Sequence, residues 1–298
     1  MISNGKFYES QFEEATIELL REAHWQYAFG DDIHRKYTDP LIEEDLRNFL
    51  AVQYKDKNLT TSEMDSIVAN LRNTGGQNDY YALRNTFLLY RDGYDFAYSD
   101  GRSNPFRLEY IDFEHPVHNI FRCVNQFVME QGRENRRPDI LLFINGIPVC
   151  IIELKNPTKQ NATIHDAHTQ ICTRYMRDIP ALLKYCALAV ISDGAKNALG
   201  ATYTPFEFFY EWKKIENEDK AGKGLDTLRT LIRGAISPER ILEILRDYVY
   251  FPDPTKEDDT TEIVCRYPQF FATRKLRDHI LNHLRSVGGD GKGGTYFG

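Results

Sequence analysis

Residues 138 to 155 carry the strongest chemical signal in the chain. Pro138-Asp139 leads into an apolar run from Ile140 to Ile144, an Asn145-Gly146 turn, a second apolar run, and then Glu153-Leu154-Lys155. One acid thus sits on the first strand, and an acid and a lysine two residues apart end the next. Paired carboxylates suit a hard divalent cation, since Mg²⁺ prefers oxygen ligands and keeps several waters. Such an ion polarises a phosphoryl oxygen and supplies hydroxide near neutral pH. An ammonium two positions on can orient the attacking water or offset transition-state charge. This is the equipment of metal-dependent phosphodiester cleavage. An ordinary buried hairpin with charged ends is the competing reading. Placement raises the first to stand level with the second: the run Val149-Cys150-Ile151-Ile152 makes the second strand almost wholly buried, and unpaired charge at the end of such a strand is costly.

The register of this hairpin decides whether the acids meet. A plain two-residue loop at Asn145-Gly146 would pair Asp139 with Ile152 and send Glu153 to the opposite face. A bulge near Pro148, or one extra loop residue, pairs Asp139 with Glu153 instead. Because side chains alternate faces, Lys155 then joins them. The sequence predicts the bulged register.

The elements that must position these groups are those of an α/β chain. Phe7 to Ala23 has Phe12, Ala15, Thr16, Leu19, Leu20 and Ala23 at helical spacing. Glu13 borders that stripe, while Glu14, Glu18 and Glu22 form a solvated ridge. Pro40 to Val52 and Ser62 to Leu71 read as two further helices. From Tyr80 to Met129 the texture suggests short β-type runs: Phe87-Leu88-Leu89-Tyr90, Phe106 to Phe113, and Asn119 to Met129. After the hairpin come a helix from about Ile164 to Lys184, a buried strand Ala187 to Ile191, and an aromatic-rich strand pair within Ala201 to Trp212. Glu216 to Gly224 is the best boundary. Helices Leu225 to Arg233 and Pro238 to Tyr250, the acidic linker Asp253 to Thr261, and Tyr267 to Val287 complete the chain.

Composition narrows the setting. No stretch of the 298 residues approaches a membrane span, and the N-terminus lacks a signal peptide's apolar core. The five cysteines, Cys123, Cys150, Cys172, Cys186 and Cys265, form no Cys-x-x-Cys pair, which argues for a reducing cytoplasm and against zinc. A net charge of −7 is awkward for a nucleic-acid enzyme, but it is unevenly spread. Residues 1–60 carry 7 basic and 12 acidic side chains, whereas residues 133–185 carry 8 basic and 5 acidic. Phosphate binding needs only such a local basic surface. The helix beyond the hairpin carries Gln170 and Arg174 four apart on one face, where an amide and a guanidinium could meet a phosphate backbone. The His-x-x-His pairs His115/His118 and His165/His168 fit solvated or capping roles better than a metal. Gly289-Asp290-Gly291-Lys292-Gly293-Gly294 matches a dinucleotide glycine pattern, but without the strand before it or the helix after it that the pattern needs.

Taken together the strings are specific. Asn125-Gln126-Phe127, Arg137-Pro138-Asp139-Ile140, Asn145-Gly146-Ile147-Pro148, Ile152-Glu153-Leu154-Lys155-Asn156-Pro157 and Arg174-Tyr175-Met176-Arg177-Asp178-Ile179-Pro180 occur in this order, and Arg285 to Gly298 closes the chain. The combination closely resembles the amino-terminal part of the R (restriction, or motor) subunit of type I restriction enzymes, over nearly the whole length.

The resemblance implies a PD-(D/E)xK nuclease on a restriction-endonuclease-like fold, a mixed sheet flanked by helices and followed by a helical connector. It makes Asp139 and Glu153 the metal ligands, joined by the Leu154 carbonyl, with Lys155 the catalytic lysine and Glu13 the first-helix acid. Gln170 and Tyr175 match the family's Gln-x-x-x-Tyr element, although here they lie five apart instead of four; with Arg174 they are the expected DNA contacts. The implied cofactor is Mg²⁺, with Mn²⁺ as a substitute. The implied partners are duplex DNA and the methyltransferase (M) and specificity (S) subunits, in the cytoplasm, with no membrane. Residues 1–215 would be the endonuclease domain, 216–264 a helical connector and acidic linker, and 265–298 the start of an ATP-dependent motor. The chain would then be a piece that stops where the motor begins, with ATP used only by the full-length subunit. Gln269, after Tyr267-Pro268, resembles an adenine-reading glutamine without its pocket. A non-catalytic nuclease-like docking module, or a repair nuclease of the same fold, are the alternatives.

Overall fold

The computed structural model describes residues 4–155, 163–216, 222, 224–252 and 260–286. The chain opens with α1 (Asn4–Glu22), which buries Phe12, Ile17, Leu19 and Leu20 and leaves Glu14, Glu18 and Glu22 exposed. The short strand β1 (Gln26–Phe29) follows, unannounced by the sequence because three of its four residues are exposed and no apolar alternation marks it. Next come α2 (Glu43–Gln53), α3 (Thr61–Asn73) and α4 (Asp79–Asp92). Thr60 and Glu63 close a reciprocal capping box on α3.

The run Phe87 to Tyr90, expected as β-type, lies within α4. Tyr80, Leu83, Thr86, Phe87 and Tyr90 are its buried residues, a helical spacing. Asn78 starts the helix by accepting the Tyr81 N–H at 3.0 Å. The longer period overrides the local β-propensity of aromatic residues.

Strands β2 (Tyr94–Phe96) and β3 (Phe106–Leu108) form one small hairpin. Strand β4 (Phe121–Asn125) enters the main sheet, and β5 (Met129–Gln131) pairs with β6 (Glu134–Arg136). The expected runs Phe106 to Phe113 and Asn119 to Met129 are thus shorter and divided. Strands β7 (Ile140–Ile144) and β8 (Ile147–Leu154) make the central hairpin. The helix after it runs as α5 (Ile164–Thr169), a π-helical stretch Gln170–Tyr175, α6 (Met176–Asp178) and α7 (Pro180–Leu183). Strands β9 (Leu188–Ser192) and β10 (Asn197–Ala201) follow. The strand pair expected within Ala201 to Trp212 does not form: Phe206–Phe208 is a 3-10 turn, and Tyr210 makes a single bridge to Leu199. Helix α8 (Leu225–Leu231) continues into a second π stretch, then α9 (Pro238–Asp247), the short pair β11 (Val249–Tyr250) and β12 (Ile263–Val264), and α10 (Tyr267–Ser286). Most of the acidic linker and the closing glycine-rich string lie outside the described residues. No helix among the described residues is long and apolar enough to cross a membrane.

The main sheet has six strands in the order β1-β4-β7-β8-β9-β10, parallel at β1/β4 and β8/β9 and antiparallel elsewhere. It is the mixed sheet flanked by helices that the family resemblance implied. One face packs on α1, α2, α3 and α4 in a large apolar cluster that runs on through Leu231, Ile244 and Phe270. The other face packs on Ala167, Ile171, Tyr175, Ile179 and Leu182.

Candidate active site

Hairpin register is what brings the acids together. Asn145 (φ +51°) and Gly146 (φ +76°) form a two-residue turn of the left-handed type that Asn-Gly favours. Gly146 is required there, because a Cβ would stand 2.1 Å from the Ile42 carbonyl oxygen. From the turn, Ile144 pairs with Ile147 and Phe143 with Pro148, but Leu142 then pairs with Cys150 and Ile140 with Ile152. Val149 is the extra residue of a bulge. Pro148, which has no N–H for the ladder, is where the regular pairing gives out. The bulge resets the alternation: Ile147 and Val149 face the large cluster, and so do Cys150, Ile152 and Leu154. Glu153 therefore turns to the other face, with Ile151, Leu141 and Tyr175. Without the bulge, the strand's period would aim Glu153 into the main core. One step beyond Ile140/Ile152 the same register sets Asp139 across from Glu153, as the sequence predicted.

Both acids are held. The Leu154 N–H donates to Asp139 Oδ2 at 2.7 Å, so the Asp139 side chain takes the next rung of the ladder. Glu153 is 1 % exposed. Burial, and then the neighbouring charge of Asp139, push its carboxyl well above the ordinary range, against the pull of Lys155 and Tyr175. The Lys155 ammonium donates to Glu153 Oε1 at 2.9 Å and to Gln170 Oε1 at 2.6 Å. The Gln170 amide donates to the Tyr175 hydroxyl at 2.7 Å, and that hydroxyl donates to Glu153 Oε2 at 3.3 Å. Glu153, Lys155, Gln170 and Tyr175 thus close a four-membered hydrogen-bonded ring. Burial raises the Tyr175 phenol, which keeps it a donor.

The π-helical stretch Gln170–Tyr175 explains the five-residue spacing. In an α-helix, residues five apart point well away from one another; a π turn holds one residue more and aligns i with i+5. The inserted residue is absorbed, and both Gln170 and Tyr175 reach the site. Arg174 stays exposed, outside the ring.

Glu13 projects from α1 toward the ends of β1 and β4. Its Oε1 accepts from Asn125 Nδ2 at 2.7 Å and from Gln126 Nε2 at 3.0 Å. The Tyr27 hydroxyl donates to Asn125 Oδ1 at 3.0 Å. These groups line a pocket of about 400 Å³ with Ser10, Glu14 and Arg21. Gln126, the residue after β4, stands beside Asp139 in register order and carries a left-handed φ of +55°, rare for a glutamine. The string Asn125-Gln126-Phe127 carries no sequence signal of the partnership of its first two residues with Glu13.

Two carboxylates and a strand-end carbonyl are an all-oxygen donor set, the kind a hard divalent cation takes. The Glu153 carboxyl is raised first by its burial and then by the nearby Asp139 charge, a pair of acids whose charge a cation would offset. The residues fit such an ion.

Comparison with known proteins decides the family. Residues 6–208 match the model for the type I restriction enzyme R protein N terminus. The chain belongs to that family. The Type I restriction enzyme HindI endonuclease subunit of Haemophilus influenzae is 29% identical over 286 residues, covering 92% of this chain and 27% of the relative. The MjaIXP counterpart from Methanocaldococcus jannaschii is 27% identical over 296 residues, covering 91% and 28%. The Type I restriction enzyme EcoprrI endonuclease subunit of Escherichia coli is 28% identical over 202 residues, covering 65% and 59%. This member of the R protein family spans little more than a quarter of the length of the first two.

Proposed function

We propose that this chain is the endonuclease part of an R subunit and that Asp139, Glu153 and Lys155 cut duplex DNA with the help of Mg²⁺ or Mn²⁺. The observation that supports this most is the bulged register, which turns Glu153 out of the main core and toward Asp139. Asp139, Glu153 and the Leu154 carbonyl would hold the cation. When bound, it supplies a Lewis acid for the phosphodiester and lowers the pKa of a bound water. The chain's own part is positioning. Lys155 carries three donors on a flexible stem, two of them already engaged by Glu153 and Gln170, which leaves one for the attacking water or a phosphoryl oxygen. Gln170 fixes the ammonium, and Tyr175 fixes the Gln170 amide so that its oxygen faces Lys155. Exposed Arg174 is the group best set to meet the phosphate backbone, with Gln170 and Tyr175 acting from within the ring. Glu13, through Asn125 and Gln126, braces the strand end beside Asp139.

The same reading makes residues 1–215 the nuclease domain, 216–264 a helical connector and acidic linker, and 265–298 the start of a motor that uses ATP in the full-length subunit. The M and S subunits would be its partners. Free cysteines, none paired among the described residues, fit the cytoplasm. The test is a full-length subunit reassembled with its M and S partners. Asp139→Ala, Glu153→Ala or Lys155→Ala should abolish DNA cutting and leave ATP hydrolysis intact. Undiminished cutting by any of them overturns the assignment. Equal cutting by all three, with the chain still needed for assembly, would make it a docking module.

A further inference from the structure

The pair His115/His118 has a third partner that the sequence hid. Asp112, His115 and His118 are spaced three and three. Pro116–His118 is a 3-10 turn with His115 at its start, and three residues per turn stack side chains that are three apart. The two imidazole rings lie 5.0 Å apart, centre to centre. Both point a nitrogen at one oxygen: Asp112 Oδ2 is 2.8 Å from His118 Nδ1 and 3.3 Å from His115 Nδ1. One ligand atom from each of the three groups lies within 4.8 Å of the others. Two ligands at ~2.1 Å on a tetrahedral ion stand roughly 3.4 Å apart, so these side chains need only small rotations to share one.

The carboxylate is built in and the imidazoles are open. The Asp112 side chain is 6% exposed, those of His115 and His118 66% and 49%. Asp112 Oδ1 accepts the N–H groups of Glu114 and His115, and Gln53 Nε2 donates to Oδ2 at 3.3 Å. Its backbone is locked to Asn119: Asp112 N donates to Asn119 Oδ1, and Asn119 Nδ2 returns to Asp112 O. Asn145, at the hairpin turn, donates to the same Asn119 oxygen at 2.8 Å. The cluster therefore sits at the turn end of the β7–β8 hairpin. At ~3.3 Å per strand residue, that is roughly 17 Å from Asp139 and Glu153.

We propose that Asp112, His115 and His118 bind a transition-metal dication such as Zn²⁺, separately from the nuclease site. Two imidazoles with one carboxylate select a borderline ion over Mg²⁺. Gln53 and the amides of Glu114 and His115 orient the carboxylate from behind, as partners of a metal ligand do. The ion would clip the 109–119 loop, which Glu114 also ties to α9 through Arg246 at 3.4 Å.

The test is a titration of the untagged chain, stripped with chelator and exchanged into chelator-free buffer, with Zn²⁺ against a competing indicator. Wild type and Asp139→Ala should each bind one Zn²⁺ at this site, with millimolar Mg²⁺ failing to displace it. Affinity should fall at least tenfold in His115→Ala and again in His118→Ala, and about tenfold in Gln53→Ala. Zn²⁺ should raise the melting temperature of wild type and not of the double histidine variant. The histidines are exposed, so thermal melts without metal should match wild type and exclude misfolding. Zn²⁺ binding of equal affinity and stoichiometry in the double variant, or none in wild type, overturns the proposal.

Discussion

Replacing Glu153 by Gln should remove a pH dependence of stability that the wild-type fold carries. Glu153 is buried at 1 % exposure beside Asp139, and its folded-state carboxyl lies well above the ordinary value of 4.5. For an acid raised in this way, the favourable contribution is complete below the ordinary value and is lost as pH rises through the folded-state value. Each tenfold by which the fold disfavours ionisation costs about 1.4 kcal/mol once the group is forced to ionise. With roughly 2.1 cal/mol/K of unfolding entropy per residue, 1 kcal/mol moves the melting temperature of 298 residues by about 1.6 °C, so each tenfold is worth about 2 °C. Gln keeps the shape and cannot ionise. The attraction of Lys155 for the ionised carboxylate opposes the shift and is already contained in it, so it adds no separate slope. Glu262, likewise buried with a raised carboxyl, is common to both proteins and cancels. The assay is a thermal melt in chelator from pH 5 to pH 8. The difference, wild type minus Glu153→Gln, should fall steadily as pH rises, and added Mg²⁺ should recover it for wild type alone. A difference that is flat across this range would refute the account of Glu153.

Deleting the exposed Thr173 should return the π stretch to an α-helix and keep Gln170 and Tyr175 aligned, four apart. Cutting by the reassembled enzyme should then survive in that deletion and fall at least tenfold in Gln170→Ala; loss of cutting in the deletion would contradict the π-turn argument. Asn145 donates to Tyr110 O and Asn119 Oδ1 and accepts from Ile120 N, so Asn145→Ala should destabilise the fold by about 3 kcal/mol in urea unfolding, near 1 kcal/mol per lost buried hydrogen bond. Glu13→Ala should slow DNA cutting while Glu14→Ala, on the exposed ridge, leaves it unchanged; the reverse order would reassign the first-helix acid.

The central hairpin was legible because its signals are local. Asn-Gly fixes the turn, Pro148 breaks the ladder, and the apolar runs fix burial, so the register follows from a few neighbouring residues. Helix α1 and its two faces were legible for the same reason, through an unmistakable period. The π insertion was not, because a one-residue excess in a helix looks like a mismatch until the backbone is seen to absorb it. Strand β1 is an exposed edge without alternation. In α4, aromatic residues with high β-propensity concealed a helical period that only the longer window reveals. Asp112 joined two histidines through a 3-10 turn, a period shorter than the helical spacings sought. Glu13's partners come from more than 110 positions away, a distance that no local pattern records.

The most direct measurement is a calorimetric titration of the chain with Mg²⁺, an ion the histidine cluster should not take. Wild type should bind it with an affinity that rises with pH as Glu153 gives up its proton, and Asp139→Ala and Glu153→Ala should give no binding heat. Unchanged binding in Asp139→Ala would contradict the claim that these two strands share a cation.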